Sequence, residues 1–296
     1  MSVPAAYLAV VLVWSTTPLA IVWSSETVHP MMAAWLRMAI AALLGWMLVR
    51  ALKLELPWHW KAIRSYGCAV IGIFGGMCCT YLAVGYVSSG LISVIYGLAP
   101  LVSGMLAQQL IGEARFRPYQ WLAFAIALSG LGSIFAGDLR LAEEGWPGVL
   151  LLLAAVFLFS LSGVLVKRVG ADVHPLPHTV GTLLFSLPLF GLSWLVADGH
   201  WPVLDFGSHS PWAILYLATF GSLVGFVCYF YVLKRLSATT VALVTLITPV
   251  FALMLGSLLN GEAISASLMV GTGIILSGLS LYFWGDRLQW ARRRLA

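Results

Sequence analysis

Hydrophobic residues run along this chain in long stretches, and short polar or charged segments separate them. A helix needs roughly 20 apolar residues to cross a hydrocarbon core of about 30 Å. The chain contains ten such stretches, and strands of alternating polarity typical of outer-membrane barrels are absent from the sequence. The pattern therefore predicts an all-α integral membrane protein with ten transmembrane helices. They are predicted at residues 3–23, 30–50, 66–87, 90–111, 118–137, 146–166, 177–197, 211–233, 238–259 and 264–284.

The two halves of the chain share identical residues at a constant spacing. A shift of 149 residues pairs Gly72 with Gly221, Gly76 with Gly225, Cys79 with Cys228, Pro100 with Pro249, Gly112 with Gly261 and Glu113 with Glu262. Identities at one unbroken shift indicate an internal duplication. Five helices per half is an odd number, so the second copy enters the membrane from the opposite side. We therefore expect two inverted five-helix repeats, residues 1–140 and 141–296, in one membrane domain.

Composition and charge placement agree with this topology. With 61% hydrophobic and 9% charged residues, the chain is unsuited to a water-soluble fold. If the N-terminus is cytoplasmic, all 16 Lys and Arg except Arg37 and Arg140 fall in cytoplasmic segments. Both termini are thus predicted to be cytoplasmic. The net charge of +5 is explained by topology and by contact with anionic lipid, so the expected partner is the lipid bilayer and not nucleic acid.

Several segments carry a family resemblance. They are WSTTPLAIVW in the first helix, HPMMAAWLRMAIAALL in the second, and the paired blocks Pro100…Gly112-Glu113 and Pro249…Gly261-Glu262. Together these segments resemble the EamA-type branch of the drug/metabolite transporter superfamily, over essentially the whole chain. The resemblance implies ten helices in two inverted repeats, a central pathway, and transport of small metabolites across the bacterial inner membrane. Amino acids or related compounds exported from the cell are frequent substrates in that family.

Polar and aromatic side chains within the predicted helices are the candidate substrate ligands, because hydrocarbon penalises any polar group without a partner. Small and polar residues share one face of the fourth helix, and hydroxyls and aromatic rings recur in its neighbours. The alternative for the hydroxyls is a bond to their own helix, and for the rings simple packing. The candidate substrate-binding residues are Trp14, Ser15, Arg37, Tyr81, Ser93, Tyr96, Ser160, Tyr229 and Thr245.

Two prolines and one arginine have two interpretations each. Pro100 and Pro249 lie near the middle of their helices, where each frees a backbone carbonyl to accept a substrate ammonium or hydroxyl. They could equally kink the helices so that the halves rock during gating. Arg37 is a charge inside a predicted helix, and it could attract a substrate carboxylate. Its alternatives are pairing with helix-end carbonyls or extension to the outer interface.

Catalytic and metal chemistry find no support in the sequence. Glu113 and Glu262 each follow a glycine at a helix end, so a capping or loop-bracing role is expected, and they lie on opposite membrane sides. No carboxylate falls within a predicted helix, which leaves a carboxylate proton relay without its residue and favours facilitated diffusion or exchange. The cysteine and histidine spacings predict no disulfide framework, metal site or cofactor.

The function expected from these features is that of a secondary transporter that exports small metabolites, most of all amino acids. Two alternatives stay open. An integral-membrane enzyme or lipid-handling protein would need clustered His, Asp or Glu at the membrane surface. A nucleotide-sugar or phosphate-ester carrier would need several basic residues facing the cavity. Since both repeats are in one chain, a monomer or weak dimer suffices.

Overall fold

The computed structural model describes residues 2–137, 144–237, 241 and 244–295, without the side chains of residues 135, 137, 245–247 and 286–295. The described part is helical and groups into ten helical segments, α1 to α10. Their bounds are α1 Val3–Ser24, α2 Pro30–Ala51, α3 Trp60–Ala83, α4 Ser89–Ile111, α5 Pro118–Gly137, α6 Trp146–Val169, α7 Pro175–Ala197, α8 Ser210–Leu233, α9 Val244–Asn260 and α10 Ala266–Leu295.

The helix count and the span count are separate findings. Within the described ranges, eight helices are long and apolar enough to cross a membrane, and Thr248–Asn260 in α9 forms a shorter apolar helix. This agrees with an all-α membrane protein, while ten crossings stay a prediction. The helix boundaries differ from the prediction at several places: α10 extends eleven residues beyond the predicted end at residue 284, and α3 begins six residues before the predicted start at residue 66. His59 caps its first turn by accepting a hydrogen bond from the Ala62 amide at 3.3 Å, and that signal is local and not hydrophobic.

Repeat-related helix ends close in the same way. Gly112 ends α4 with φ 71°, and Gly261 follows the end of α9 with φ 63°. Both values lie in the left-handed region that glycine adopts without steric cost. The next amide in each repeat turns back to its helix, with Glu113 N donating to Ala107 O at 3.2 Å and Glu262 N donating to Gly256 O at 3.1 Å. The duplicated Gly-Glu pairs therefore encode a helix ending.

Glu262 has the capping role that its position predicts. Its carboxylate accepts hydrogen bonds from the amides of Ser89 and Gly90, both at 3.3 Å, and from the Ser89 hydroxyl at 2.9 Å. These groups begin α4, where unpaired amides and the helix dipole favour a negative charge. This contact ties the end of the second repeat's α9 to the start of the first repeat's α4.

Two equivalent helices contain a π-helical segment at equivalent places. It covers Ile71–Gly76 in α3 and Leu217–Val224 in α8, and the shift of 149 residues maps the first segment onto residues 220–225, which overlap the second. A π segment inserts an extra residue into the turn and changes the face that the following residues present. Gly72 and Gly221 lie in these segments and permit close approach of neighbouring side chains.

The helices of one half pack mainly against those of the other. Helix α5 packs on α10, and α2 packs on α7. Helix α1 packs on α8 and α9, and in the same way α6 packs on α3 and α4. Exchanging each helix of the first half with the fifth helix after it reproduces these contacts, as a two-fold relation would. Large apolar side chains such as Leu8, Leu192 and Leu258 are exposed on the outside, where lipid would cover them.

Candidate functional site

A cavity lies between the two halves, near the middle of α1. Its volume is about 60 Å³, which is room for a few water molecules and not for a metabolite. Its walls come from α1 to α4, α6, α8 and α9, and they are mainly apolar. The aromatic lining residues are Trp14, Tyr96, Phe159 and Phe226, and the polar ones are Thr17, Arg37, Thr80, Ser93 and Thr248.

Aromatic rings from both repeats meet beside this cavity. The Trp14 ring lies 5.5 Å from that of Phe159 in an edge-to-face arrangement and 5.4 Å from that of Tyr229. Phe159 in turn lies 5.3 Å from Tyr229 and 6.2 Å from Tyr96. Such ring pairs contribute about 0.5–1.5 kcal/mol each beyond area burial. The cluster joins α1 and α4 to α6 and α8 and forms an apolar wall.

Trp14 and Phe159 occupy equivalent places in the two repeats. A shift of 145 residues aligns Trp14-Ser15 with Phe159-Ser160 and His29-Pro30 with His174-Pro175. The wall is therefore built from the same helix position used twice. Phe159 was missed as a site residue, although this second shift was available as a signal in the sequence.

Arg37 is buried in the interior of the bundle and lines the cavity. It is 1% exposed, its Nε donates to the Ser222 hydroxyl at 2.7 Å, and its guanidinium lies 3.5 Å from the Tyr81 hydroxyl. Both partners are neutral, and no carboxylate pairs with it among the described residues. A buried charge without an opposite charge is costly, which makes this position a candidate functional site. Neither helix-end pairing nor extension to the interface describes this arginine.

The glycine of the α8 π segment makes room for this guanidinium. A Cβ added to Gly221 would lie 3.2 Å from an Arg37 amino nitrogen. Ser222, which accepts the Nε hydrogen bond, is the next residue in the same segment. The duplicated glycine thus lets α8 approach α2 closely enough to hold a charged side chain.

Tyr96 and Ser93 are the predicted α4 residues that reach the cavity. The Tyr96 and Thr80 hydroxyls are 2.8 Å apart, and Thr80 also donates to the Gly76 carbonyl at 2.8 Å, at the end of the α3 π segment. Ser93 lines the same wall and is buried. Thr80 was not among the predicted residues, because its cavity-facing direction depends on the π segment that precedes it.

Pro100 lies next to a break in α4. Regular α-helix covers Ser89–Tyr96 and resumes at Ala99–Ile111, with Gly97 and Leu98 between them. Gly97 N donates to Ser93 O, and Leu98 N donates to Ile95 O. Among the described residues, no backbone N–H beyond the break donates to the Tyr96 carbonyl. In α9, Pro249 lies inside the helix and the preceding Thr248 lines the cavity. The predicted ligand Thr245 has its side chain outside the described residues.

The remaining predicted ligands stand behind the cavity wall. Ser15 is buried and donates to the Val11 carbonyl of its own helix at 2.7 Å. Ser160 donates to the Ala99 carbonyl at 3.3 Å, beside the α4 break. Tyr81 contacts Arg37, and Tyr229 packs against Trp14. Trp14, Arg37, Ser93 and Tyr96 thus line the cavity itself. The other four, Ser15, Ser160, Tyr81 and Tyr229, lie around it.

One end of the bundle is closed by contacts between the α1–α2 and α7–α8 segments. Thr27 N donates to the Ser210 hydroxyl at 3.0 Å, and the hydroxyls of Thr27 and Ser208 are 3.1 Å apart. The rings of Trp23 and His209 stack at 4.9 Å. We call this the closed end.

The other end, which we call the basic end, contains a pocket that is larger than the central cavity and lies beside Lys167, Asp172 and Lys234. Its volume is about 340 Å³. Lys234 donates to Asp172, and this hydrogen bond, with the attraction of the ammonium, lowers the pKa of that carboxyl.

Comparison with known proteins identifies the family. The model of the EamA-like transporter family matches this chain twice, over residues 3–136 and 146–284, so that each half carries one copy. The protein PagO of Salmonella typhimurium is 27% identical over 91% of this chain and 89% of its own length. The Escherichia coli protein named as the uncharacterized inner membrane transporter YedA is 25% identical over 96% and 91%.

Two further relatives extend the comparison. A Chlamydia trachomatis protein named as an S-adenosylmethionine/S-adenosylhomocysteine transporter is 26% identical over 89% of this chain and 86% of its own. A solved crystal structure shares the fold with a TM-score of 0.72 and 20% identity, over 97% of this chain and 99% of the other.

Proposed function

Because the chain belongs to the EamA-like transporter family and is a multi-pass inner-membrane transporter, we propose that it exports small metabolites, above all amino acids. Transport proceeds by alternating access through the central cavity. Residues 1–140 and 141–296 act as the two inverted repeats, and both termini lie in the cytoplasm. The exchange symmetry of the helix contacts and the placement of the basic residues support this arrangement.

The observation that carries the substrate class is the buried Arg37. Its guanidinium lines the cavity with two hydroxyl neighbours and no carboxylate partner among the described residues. A substrate carboxylate would supply the missing negative charge through charge-assisted hydrogen bonds. Amino acids carry this group, and the break in α4 offers the Tyr96 carbonyl as an acceptor for their ammonium.

The rest of the lining suits the side chain of such a substrate. Trp14, Phe159 and Phe226 give an apolar wall, and Ser93 and Thr248 add hydroxyls. With a volume of about 60 Å³ the cavity is contracted, so the halves must separate to admit an amino acid. This matches a transporter whose site closes between its two access states.

The relatives and the small number of basic residues in the cavity lining favour amino-acid-like compounds over phosphate esters. S-adenosylmethionine and S-adenosylhomocysteine, named for the chlamydial relative, each contain an α-amino acid group. A nucleotide-sugar or phosphate-ester carrier would surround its substrate with several cations. In the described lining of the cavity, Arg37 is the single basic residue.

The test is flux measured with purified protein in liposomes loaded with a pool of radiolabelled amino acids. Wild type should give saturable efflux of one or a few of them. Arg37→Met should lower the efficiency of efflux roughly 10- to 100-fold, as expected for a lost charged hydrogen bond of about 1.5–3 kcal/mol. Tyr96→Ala should reduce flux by a smaller factor, because it removes a ring and a hydroxyl and leaves the charge.

Matched controls come from exposed residues of the same types. Arg50→Met and Tyr86→Ala alter an arginine and a tyrosine that are exposed and outside the cavity. Both should transport like wild type. Flux that Arg37→Met leaves unchanged would overturn the carboxylate assignment, and the absence of flux for every amino acid would overturn the substrate class.

A further inference from the structure

His178 is the histidine of this chain that lies inside a helix. The sequence contains six histidines. Four of the others stand at the N-caps of helices, and His200 is in the segment between α7 and α8. His178 instead follows the first turn of α7 and is 5% exposed. Imidazole is the side chain whose protonation changes near neutral pH, so its burial here calls for an explanation.

The contacts of His178 satisfy one ring nitrogen and leave the other without a partner. Nε2 is 2.7 Å from the Ser65 hydroxyl on α3, and Nδ1 has no hydrogen-bond partner among the described residues. The ring packs 4.2 Å from that of Phe230 on α8 and 5.5 Å from that of Tyr66 on α3. A protonated ring has two N–H donors and would need a second acceptor. The present packing therefore suits the neutral form.

The pocket at the basic end gives this histidine access to water. His178 and Ser65 line it together with Lys167, Asp172 and Lys234. The charged groups facing the histidine are thus two ammonium groups and one carboxylate, and Lys234 is bonded to Asp172. Lys167 donates to the Leu236 carbonyl. From α3, the titratable neighbour is the phenol of Tyr66, which donates to the Pro57 carbonyl at 3.0 Å.

On the side of α2, the ionisable residues belong to a different cavity. Arg50, Glu55 and His59 line a separate opening of about 810 Å³. They do not line the pocket beside His178. In the described structure, no carboxylate hydrogen-bonds to the histidine ring.

Helix α8 connects this pocket to the central cavity. Phe226 lines the central cavity, and Phe230, one turn further along α8, lines the pocket and packs on His178. Between them Tyr229 packs against Trp14, and its hydroxyl would lie 2.7 Å from a Cβ on Gly163 of α6. Any shift of α8 that widens the central cavity therefore also changes the surroundings of His178.

We propose that His178 is the protonation site that couples transport to a proton gradient. This inference rests on the proposed transport function. When the closed end opens and α8 moves away, water from the outer side reaches the ring, and neutral His178 takes up one proton from it on the unpartnered ring nitrogen. When the ring is packed again between Ser65 and Phe230, His178 releases this proton into the pocket at the basic end, on the cytoplasmic side. One proton crosses the membrane in each cycle, against one exported substrate molecule.

The other ionisable groups inside the helices do not suit this role. The guanidinium of Arg37 offers hydrogen-bond donors and no acceptor for a proton. No Asp or Glu lies in the described helical spans that qualify as membrane-crossing by length and composition. The sequence signals of a carboxylate relay or a metal-binding histidine pair do not include a single histidine, and the unpaired second nitrogen of His178 is visible only in the structure.

The first experiment needs no substrate. In a variant without Cys68, Cys78, Cys79 and Cys228, Val166→Cys places a thiol in the pocket wall beside His178. The maleimide labelling rate is measured from pH 5.5 to 8, with and without His178→Gln. Dividing the two rates at each pH cancels the ordinary titration of the thiol. The ratio should change severalfold across the range, whereas the same ratio for His200→Gln, a matched surface histidine, should stay flat.

The second experiment uses reconstituted protein and the amino acids found to be transported. Wild type should accumulate substrate against its gradient when a pH gradient is imposed. His178→Gln should lose this accumulation, at least tenfold, and keep counterflow exchange at equal pH on both sides. His200→Gln should retain both activities.

The outcomes separate the two proposals. Wild-type counterflow with accumulation that is indifferent to the pH gradient overturns the coupling and leaves the transport function standing. No flux of any amino acid overturns the transport proposal, and the labelling ratio then decides for His178. A flat ratio rejects His178 as a protonation site, and a ratio that changes with pH supports it.

Discussion

Equivalent positions of the two repeats are packed differently. At the basic end, Ser65, Val166, His178 and Phe230 line a pocket of about 340 Å³. The repeat shifts of 145 and 149 residues assign these positions to Ile214, Ile21, Ala33 and Tyr81, of which Ile21 lines the central cavity of about 60 Å³ and Tyr81 contacts Arg37. Equivalent positions of the two halves thus border spaces of different size. Alternating access requires this asymmetry, since the two conformations must exchange during transport.

The repeats also differ in where they carry charge. Arg37 of α2 corresponds to Thr182 of α7, and its contact Tyr81 corresponds to Phe230. Thr182 donates back to the His178 carbonyl of its own helix at 2.8 Å, whereas Arg37 reaches across to the other repeat. The duplication therefore supplied the framework, and later divergence placed the buried cation in one half and the buried histidine in the other.

The largest expected effect comes from preventing the closed end from opening. The hydroxyls of Thr27 and Ser208 are 3.1 Å apart, so Thr27→Cys with Ser208→Cys in a cysteine-free variant should form a disulfide. Oxidation should reduce flux in liposomes at least tenfold, because the ends could no longer exchange conformations. Dithiothreitol should restore it, and each single cysteine variant should be insensitive to oxidation. Full flux through the crosslinked protein would contradict a cycle in which this end opens.

An intermediate effect is expected when the two glycines of the π segments, Gly72 and Gly221, are replaced by alanine. This pair of substitutions compares the two repeats directly. A Cβ at Gly72 would lie 2.7 Å from the Ser162 Cβ and 3.3 Å from the Phe159 backbone, whereas one at Gly221 would meet the movable ends of Leu217 and Arg37 at 3.1–3.2 Å. Gly72→Ala should lower the free energy of unfolding by roughly 1–3 kcal/mol, as overpacking does.

Gly221→Ala should lower the free energy of unfolding less than Gly72→Ala does. It should instead reduce flux, because the added methyl group contacts Arg37. Thermal unfolding in detergent and flux in liposomes measure the two quantities. Gly132→Ala, which meets nothing within 4 Å, is the matched control. Equal losses of stability at Gly72 and Gly221 would show that the two segments are packed alike.

The smallest effect is expected from the surface ion pair at the basic end. Lys234 lowers the pKa of Asp172, so the pair contributes stability above the ordinary carboxyl pKa and loses it as the pH falls through the lowered value. Asp172→Asn should shift the thermal midpoint at pH 7 only slightly, because Asp172 is exposed and solvent screens the pair. The difference from wild type should vanish on acidification. A difference that grows at low pH would contradict this account.

Hydropathy, charge and internal identities are local properties of the sequence, and they predicted the all-helical membrane fold, the duplication and the capping role of Glu262. Local signals failed where a helix begins with a cap rather than an apolar run, as at His59 before α3. The candidates Trp14, Arg37, Ser93 and Tyr96 do line the cavity, because small, polar and aromatic residues in an apolar helix are conspicuous.

The partners of these residues were decided by tertiary structure alone. Arg37 bonds to Ser222, 185 positions away, through a π segment that changes the face of α8, and no hydropathy pattern encodes that register. Ser15 and Ser160 have the same residue type as Ser93 yet bond to backbone carbonyls, since the direction of a hydroxyl depends on its neighbours. The sequence by itself determined which segments enter the membrane, because transfer into hydrocarbon sums over each segment. Packing between segments decided which of their polar groups meet.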